Sequence, residues 1–204
     1  MKLFSGIIER VSQVVSVNLE KTSHNLILER PDGFDDIKAG DSICVNGVCL
    51  TLENFTSSEL AFTVGAETCE VTRWPQILSK GSRLNIERSL KVSDRIHGHS
   101  VTGHVDCAGL VVGVIRTADF IRIEVAVPKE FRRMVWLKGS IAINGVSLTV
   151  NKANDETIEV GLIPETIIRT NLSTLVMGDL VNLEFDTMAK FYLRQYELGN
   201  VKPN

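Results

Sequence analysis

Long hydrophobic runs are missing from this chain. The best apolar stretch, Leu110 to Ile115, falls far below the roughly 18 residues a membrane-spanning helix needs, so no membrane segment is expected. The opening Met1-Lys2-Leu3-Phe4-Ser5-Gly6-Ile7-Ile8 meets Glu9 and Arg10 too early for a signal-peptide core. Basic clusters are missing too, and the net charge is −3, which leaves no electrostatic footprint for nucleic acid. Only four cysteines occur (Cys44, Cys49, Cys69 and Cys107), without C-x-x-C spacing. Free thiols in a reducing compartment, the cytoplasm or one like it, are therefore expected rather than disulfides. There is no Rossmann or P-loop glycine pattern and no G-x-S-x-G nucleophile elbow. With 44% hydrophobic and 23% charged residues the composition is that of an ordinary globular protein, long enough for one large domain or two small ones.

What the chain does have is a repeat. Val45-Asn46-Gly47-Val48-Cys49-Leu50-Thr51-Leu52 returns as Ile143-Asn144-Gly145-Val146-Ser147-Leu148-Thr149-Val150, offset by 98 with five of eight positions identical. Glu67-Thr68 with Thr72 returns at the same offset as Glu165-Thr166 with Thr170. Leu84-Asn85-Ile86-Glu87 answers to Val181-Asn182-Leu183-Glu184, and Phe4 to Glu9 answers to Val101 to Asp106, both offset by 97. Four matches in one order and nearly one register are internal duplication. The halves meet near the polar stretch Lys91 to Gly98.

Each half reads as strands. Ile121, Ile123, Val125 and Val127 alternate with Arg122 and Glu124, the period of a half-buried strand, and Asn25 to Arg30 holds the equivalent place. Asn-Gly at 46–47 and 144–145 marks tight turns between strands. Five or six short strands in each half suggest an all-β chain of two tandem barrels, a closure that removes exposed edges. Short helical turns are expected at Ala66 to Thr72 and Pro164 to Thr170. From Thr187, the residues Met188, Phe191, Tyr192, Gln195 and Tyr196 fall at helical spacing, with Gly199 as the stop. The expected organisation is a barrel over 1–97, a second over 98–186, and a helix and tail over 187–204, whose aromatic stripe packs on its own barrel or on another subunit.

After each Asn-Gly turn, alternation sends Cys49 with Thr51, and Ser147 with Thr149, to one face, while Leu50 and Leu148 point into apolar packing. Such a polar pair is either a pocket wall or merely good strand residues beside a small buried thiol. Glu67-Thr68 and Glu165-Thr166 are either helix-start residues or a loop that bonds a ligand. His97-Gly98-His99, then His104 and Asp106, fall on a turn and then a strand, where 99 and 104 face opposite sides if the strand is unbroken. That spacing argues against zinc and leaves a structural histidine or a neutral imidazole poised for proton transfer.

Taken together, these segments resemble the riboflavin synthase family. The matching stretches are Phe4-Ser5-Gly6-Ile7, Asn46 to Thr51, Gly98-His99, Thr102 to Asp106, Asn144 to Thr149 and Leu162 to Thr166. The resemblance implies two six-stranded barrels, a C-terminal helix, a homotrimer, association with a lumazine synthase, and no cofactor or metal. It implies an enzyme that dismutates two 6,7-dimethyl-8-ribityllumazine molecules, with a non-catalytic lumazine or flavin binder as the alternative. His104, Ser147 and Cys49 would stand nearest the chemistry. Thr51, Thr149, Leu50 and Leu148 would belong to the pocket strands. Gly6, Ile7, Ile8, Thr63, Val64, Gly65, Ala66, Glu67 and Thr68, with Gly103, His104, Val105, Gly161, Leu162, Ile163, Pro164, Glu165 and Thr166, would hold ring edges and ribityl chain. Lys138 would reach a neighbour's ligand. Two positions depart from the family pattern: His97 replaces a common glycine, and Asn144 replaces a common aspartate, which leaves no carboxylate there.

Overall fold

The computed structural model describes residues 3–20 and 23–200. Met1 and Lys2 of the opening segment, and residues 201–204 of the expected tail, lie outside the described residues. The first half contains β1 (Arg10–Glu20), β2 (Ser23–Glu29), β3 (Ser42–Val45), β4 (Val48–Phe55), β5 (Glu59–Thr63), the short helices α1 (Ala66–Thr72) and α2 (Trp74–Ile77), and β6 (Arg83–Arg88). The second contains β7 (Cys107–Arg116), β8 (Ile121–Ala126), β9 (Ser140–Ile143), β10 (Val146–Ala153), β11 (Thr157–Leu162), α3 (Pro164–Arg169) and β12 (Leu180–Phe185). The helix α4 (Thr187–Glu197) follows, capped at its start by Asp186, with Gly199 in the left-handed region beyond its end.

Each half closes into an antiparallel barrel. The first runs β1-β2-β5-β4-β3-β6 and the second, read in the same sense, β7-β8-β11-β10-β9-β12. The repeat extends to irregularities. Register shifts fall between Val14 and Ser16 and between Leu52 and Asn54, and again between Val111 and Gly113 and between Val150 and Lys152. A bulge bends its strand, so matched bulges give two barrels the same curvature. Asn46 and Gly47 have φ of 49° and 89°, and Asn144 and Gly145 have 48° and 79°. Both residues of each two-residue loop thus take the left-handed values a tight hairpin requires, and Val45 pairs Val48 as Ile143 pairs Val146. Side chains such as Leu26, Leu28, Ile43, Leu52 and Phe62 fill one barrel, and Ile123, Val125, Ile143, Val150 and Phe185 the other.

The stretch after His99 is not a continuous strand: Val101 makes an isolated bridge with Phe4, and β7 begins only at Cys107. Gly103 breaks the run with φ of 76°, as Gly6 does in the first half with 74°. The simple alternation that would set His99 against His104 therefore does not apply. Lys91 to Gly98 is exposed throughout, and the boundary expected at 97/98 falls within this connection.

Candidate functional site

The segments preceding the two barrels, Phe4 to Glu9 and Val101 to Asp106, form two arms related by the repeat. Equivalent residues Phe4 and Val101 hydrogen-bond to each other through N–H and C=O in both directions, so the arms meet about a local twofold. Each arm is anchored by its own half. Glu87 on β6 accepts from Ser5 N at 2.7 Å, Ser5 Oγ at 2.9 Å and Gly6 N at 3.0 Å. Glu184 on β12 accepts from Thr102 N and Oγ1, both at 2.7 Å, and from Gly103 N at 2.9 Å.

Past the anchor, each arm joins the opposite barrel. The carbonyl of Gly6 accepts from Ser147 N, and that of Gly103 from Cys49 N, each at 2.8 Å. A Cβ on Gly6 would lie 2.6 Å from Cβ of Ser147, and one on Gly103 2.6 Å from Cβ of Cys49, so neither position has room for a side chain. Ile8 packs in the core of the second barrel and Val105 against the core of the first. Each barrel is thus covered, at the strand that follows its Asn-Gly turn, by the arm of the other half.

The junction is sealed by buried asparagines. Asn46 N donates to Asn85 O and Asn144 N to Asn182 O. Asn85 Nδ2 donates across to Asn144 O at 2.9 Å, and Asn182 Nδ2 across to Asn46 O at 2.8 Å. Asn171 Nδ2 donates to Asn46 Oδ1, while Asn171 N donates to Asn85 Oδ1. Burial of so many polar groups is tolerable because they satisfy one another. Asn144 is accounted for here: its Oδ1 accepts from Asn182 N, and its amide holds the turn rather than handling protons.

The first-half cleft has a volume of about 280 Å³ and is lined by Val48, Cys49, Glu67, Thr68, Val71, Thr72, Gly103, His104 and Val105. Of the residues expected at this site, Cys49, Glu67, Thr68, Gly103, His104 and Val105 converge. Thr51 faces outward beside them, as the alternation required, whereas Thr63 donates to Glu53 Oε2 at 3.0 Å and Val64 is buried. Gly65 caps the start of α1, ahead of Ala66. Leu50 and Leu148 are buried, as expected.

On the equivalent face of the second barrel, Ser147 sits against Gly6, Gly98 and the ring of His99, whose Nδ1 lies 2.7 Å from Ser147 Oγ. Thr149 is exposed beside it. Gly161 and Leu162 end β11, Ile163 caps α3, Pro164 opens the helix, and Thr166 follows on its first turn. Glu165 is ion-paired with Arg169, one turn further along α3. Lys138 lies elsewhere, exposed on the turn entering β9, with its N–H donating to Val150 O.

Burial raises the carboxyls of both anchoring glutamates. Desolvation pushes Glu87 from 4.5 to about 7, opposed by the hydrogen bonds from Ser5 and Gly6, and Glu184 moves the same way. Neither glutamate is conspicuous in the sequence as a site residue, although their place in the repeated Asn-x-Glu was the available signal. A wider groove of about 670 Å³ runs between Asp36 to Ile43 and the connection at 87–97. Ser5, Ile7 and Glu9 of the first arm also line it; of its cations, Arg88 pairs with Glu9 and Asp36 and Lys91 with Asp36, while Arg95 has no ion pair among the described residues.

The lumazine binding domain family matches this chain twice, over residues 5–89 and 102–186. The riboflavin synthase of Bacillus subtilis (strain 168) is 33% identical over 198 residues, covering 97% of this chain and 92% of that protein. The riboflavin synthase of Mycobacterium tuberculosis (strain CDC 1551 / Oshkosh) is 36% identical over 196 residues, covering 94% and 97%. In fold, the chain resembles LumP complexed with riboflavin, with a TM-score of 0.83 and 22% identity over 89% of this chain and 98% of that one.

Proposed function

The chain belongs to the riboflavin synthase family of lumazine-binding proteins and is an enzyme, a transferase, and from that premise we propose that it converts two 6,7-dimethyl-8-ribityllumazine molecules into riboflavin and 5-amino-6-(D-ribitylamino)uracil. A four-carbon unit passes from one lumazine to the other. The atoms of the two products sum to those of the two reactants, so the conversion calls for no external oxidant or reductant.

The observation that carries this reading is the crossing of the arms: the arm of the second half closes the first cleft, and the arm of the first half lies on the equivalent face of the second barrel, which we read as a second cleft. Two identical reactants with different fates suit two copies of one pocket that differ in a few side chains. Holding the heterocycles face to face supplies much of the rate gain. One lumazine must lose a proton from its C7 methyl group and the other must be attacked at C7. His104, exposed in the first cleft opposite Cys49, is the group we assign to proton transfer or polarisation there. The ring edges and ribityl chain are held by the arms and by the residues opening α1 and α3.

The local twofold relates one half to the other without joining their pocket faces, so a chain need not bring its own pair together. We propose a homotrimer in which the first cleft of one subunit meets the second cleft of another. Its contact includes the apolar face of α4, where Met188, Phe191 and Tyr192 are more than half exposed. The four free thiols fit a reducing compartment, and we place the protein in the cytoplasm. Mixing purified protein with the lumazine should produce flavin absorbance together with the diaminouracil product. Tight binding without conversion would instead make it a lumazine or flavin carrier.

A further inference from the structure

His99 comes from the connection between the barrels, not from either barrel, and it is the element that most clearly breaks the symmetry of the clefts. Its backbone N–H donates to Ser5 O at 3.2 Å, which ties it to the arm that closes the second cleft. Gly98 before it has no room for a Cβ, which would fall 2.0 Å from Ser5 O and 2.9 Å from Ser147 Oγ, so the imidazole is pressed onto the serine. Nδ1 lies 2.7 Å from Ser147 Oγ, while Nε2 is buried and has no hydrogen-bond partner among the described residues. At the first cleft the repeat places Cys49, and no such ring partners it among the described residues.

The unpartnered nitrogen decides the tautomer. Burial disfavours the charged imidazolium, a tendency that Asp186 opposes more weakly, so the ring is neutral and carries one N–H. A buried N–H without an acceptor is rarer and costlier in proteins than an under-used acceptor. The N–H therefore belongs on Nδ1, directed at Ser147 Oγ, with the bare lone pair on Nε2. Because Ser147 Oγ accepts from the ring, its own hydroxyl hydrogen is free to point into the cleft.

We propose that His99 is a positioning residue that fixes Ser147 as a hydrogen-bond donor to an acceptor atom, a ring nitrogen or carbonyl oxygen, of the heterocycle bound in the second cleft. A thiol in the same place, as at Cys49, donates weakly. The second cleft thereby recognises the electron-rich edge of its ligand more strongly than the first does. This rests on the two-cleft reading of the protein's function.

The test has two parts. In the full-length ligand-free protein, nitrogen-15 NMR of the histidine rings should show His99 protonated on Nδ1; an Nε2–H tautomer overturns the proposal without touching the proposed activity. Binding of a non-reactive lumazine analogue is then titrated for wild type, His99→Leu, His99→Asn, Ser147→Ala and the double variant His99→Leu with Ser147→Ala. Asparagine places an amide N–H near the position of Nδ1, so His99→Asn should keep most of the affinity of the second site. His99→Leu should weaken that site roughly 3- to 10-fold and leave the first site unchanged, as expected for one misdirected hydrogen bond. In the Ser147→Ala background, His99→Leu should add nothing, because the ring acts only through the hydroxyl. Equal losses in Leu and Asn variants, or additive losses in the double variant, overturn the assignment. Failure of wild type to bind the analogue at all would count against the proposed function instead.

Discussion

The two barrels share strand order, bulges and hairpins, yet their mouths differ at four places. The first cleft has Cys49 where the second has Ser147, and His104 where the second has Ile7. Glu67 has no cationic partner among the described residues, whereas Glu165 is paired with Arg169, which replaces Val71. His99 leans on Ser147 alone. Duplication thus supplied a common cradle, and a handful of substitutions on it gave the cradles different chemistry. The imidazole of His104 in the first cleft is exposed, while that of His99 is half-buried with its Nδ1 at the Ser147 hydroxyl.

The largest effect is expected at the exposed imidazole. His104→Gln should lower turnover by roughly 100-fold or more while both sites still bind ligand, measured by steady-state rates beside analogue titration. Full activity would make His104 structural and remove one of the differences between the clefts. A second large effect should come from mixing subunits disabled at Cys49 and His104 with subunits disabled at Ser147 and Thr149. Mixed oligomers should regain activity that neither parent has; continued inactivity would put both reacting clefts within one chain.

Removing an anchor should act across the molecule. Glu184→Leu leaves three donors of the Thr102-Gly103 arm unpaired and should weaken binding at the first cleft by about 10-fold, while Glu87→Leu should do so at the second. Site-resolved titration separates this crossed pattern from a local one, in which each glutamate would affect the cleft of its own barrel.

A smaller effect concerns pH. The carboxyl of Glu87 sits at about 7 in the folded protein, above its unfolded value. The folded state therefore retains a proton that the unfolded chain has given up between about pH 4.5 and 7. The stability this proton contributes is full below the unfolded value and is lost as pH rises through about 7. Denaturant unfolding should show a decline on the order of 2–3 kcal/mol across that window, reduced in Glu87→Gln. The smallest effect should be that of His97→Ala, an exposed position on the connection that does not line the first cleft, which should leave turnover within about twofold.

Much of this was legible in residue types and spacing. The 98-residue offset exposed the duplication, Asn-Gly fixed the hairpins, and alternation separated Cys49 and Thr51 from Leu50. The crossing of the arms was not legible. Gly6 meets Ser147 and Gly103 meets Cys49 through backbone atoms, and a main-chain hydrogen bond between distant segments leaves no periodicity. The asparagine junction was hidden for a similar reason: Asn171 has Arg73 as its counterpart in the first half, so the repeat gave no hint of it. The extended reading of the stretch after His99 failed because a single glycine at positive φ turned it.

The crossing also changes what half the chain can do. Residues 1–97 contain Cys49, Glu67 and Thr68 but not the Gly103-His104-Val105 wall, so this half should bind riboflavin only when a second copy lends its own Gly6-Ile7-Ile8 arm.

Calorimetric titration of the full-length protein with a non-reactive lumazine analogue decides whether each chain carries two complete and unequal clefts. The expectation is two sites per chain of different affinity, with Cys49 variants altering one and Ser147 variants the other. A single site per chain, or two sites that respond alike to both sets of variants, would contradict it.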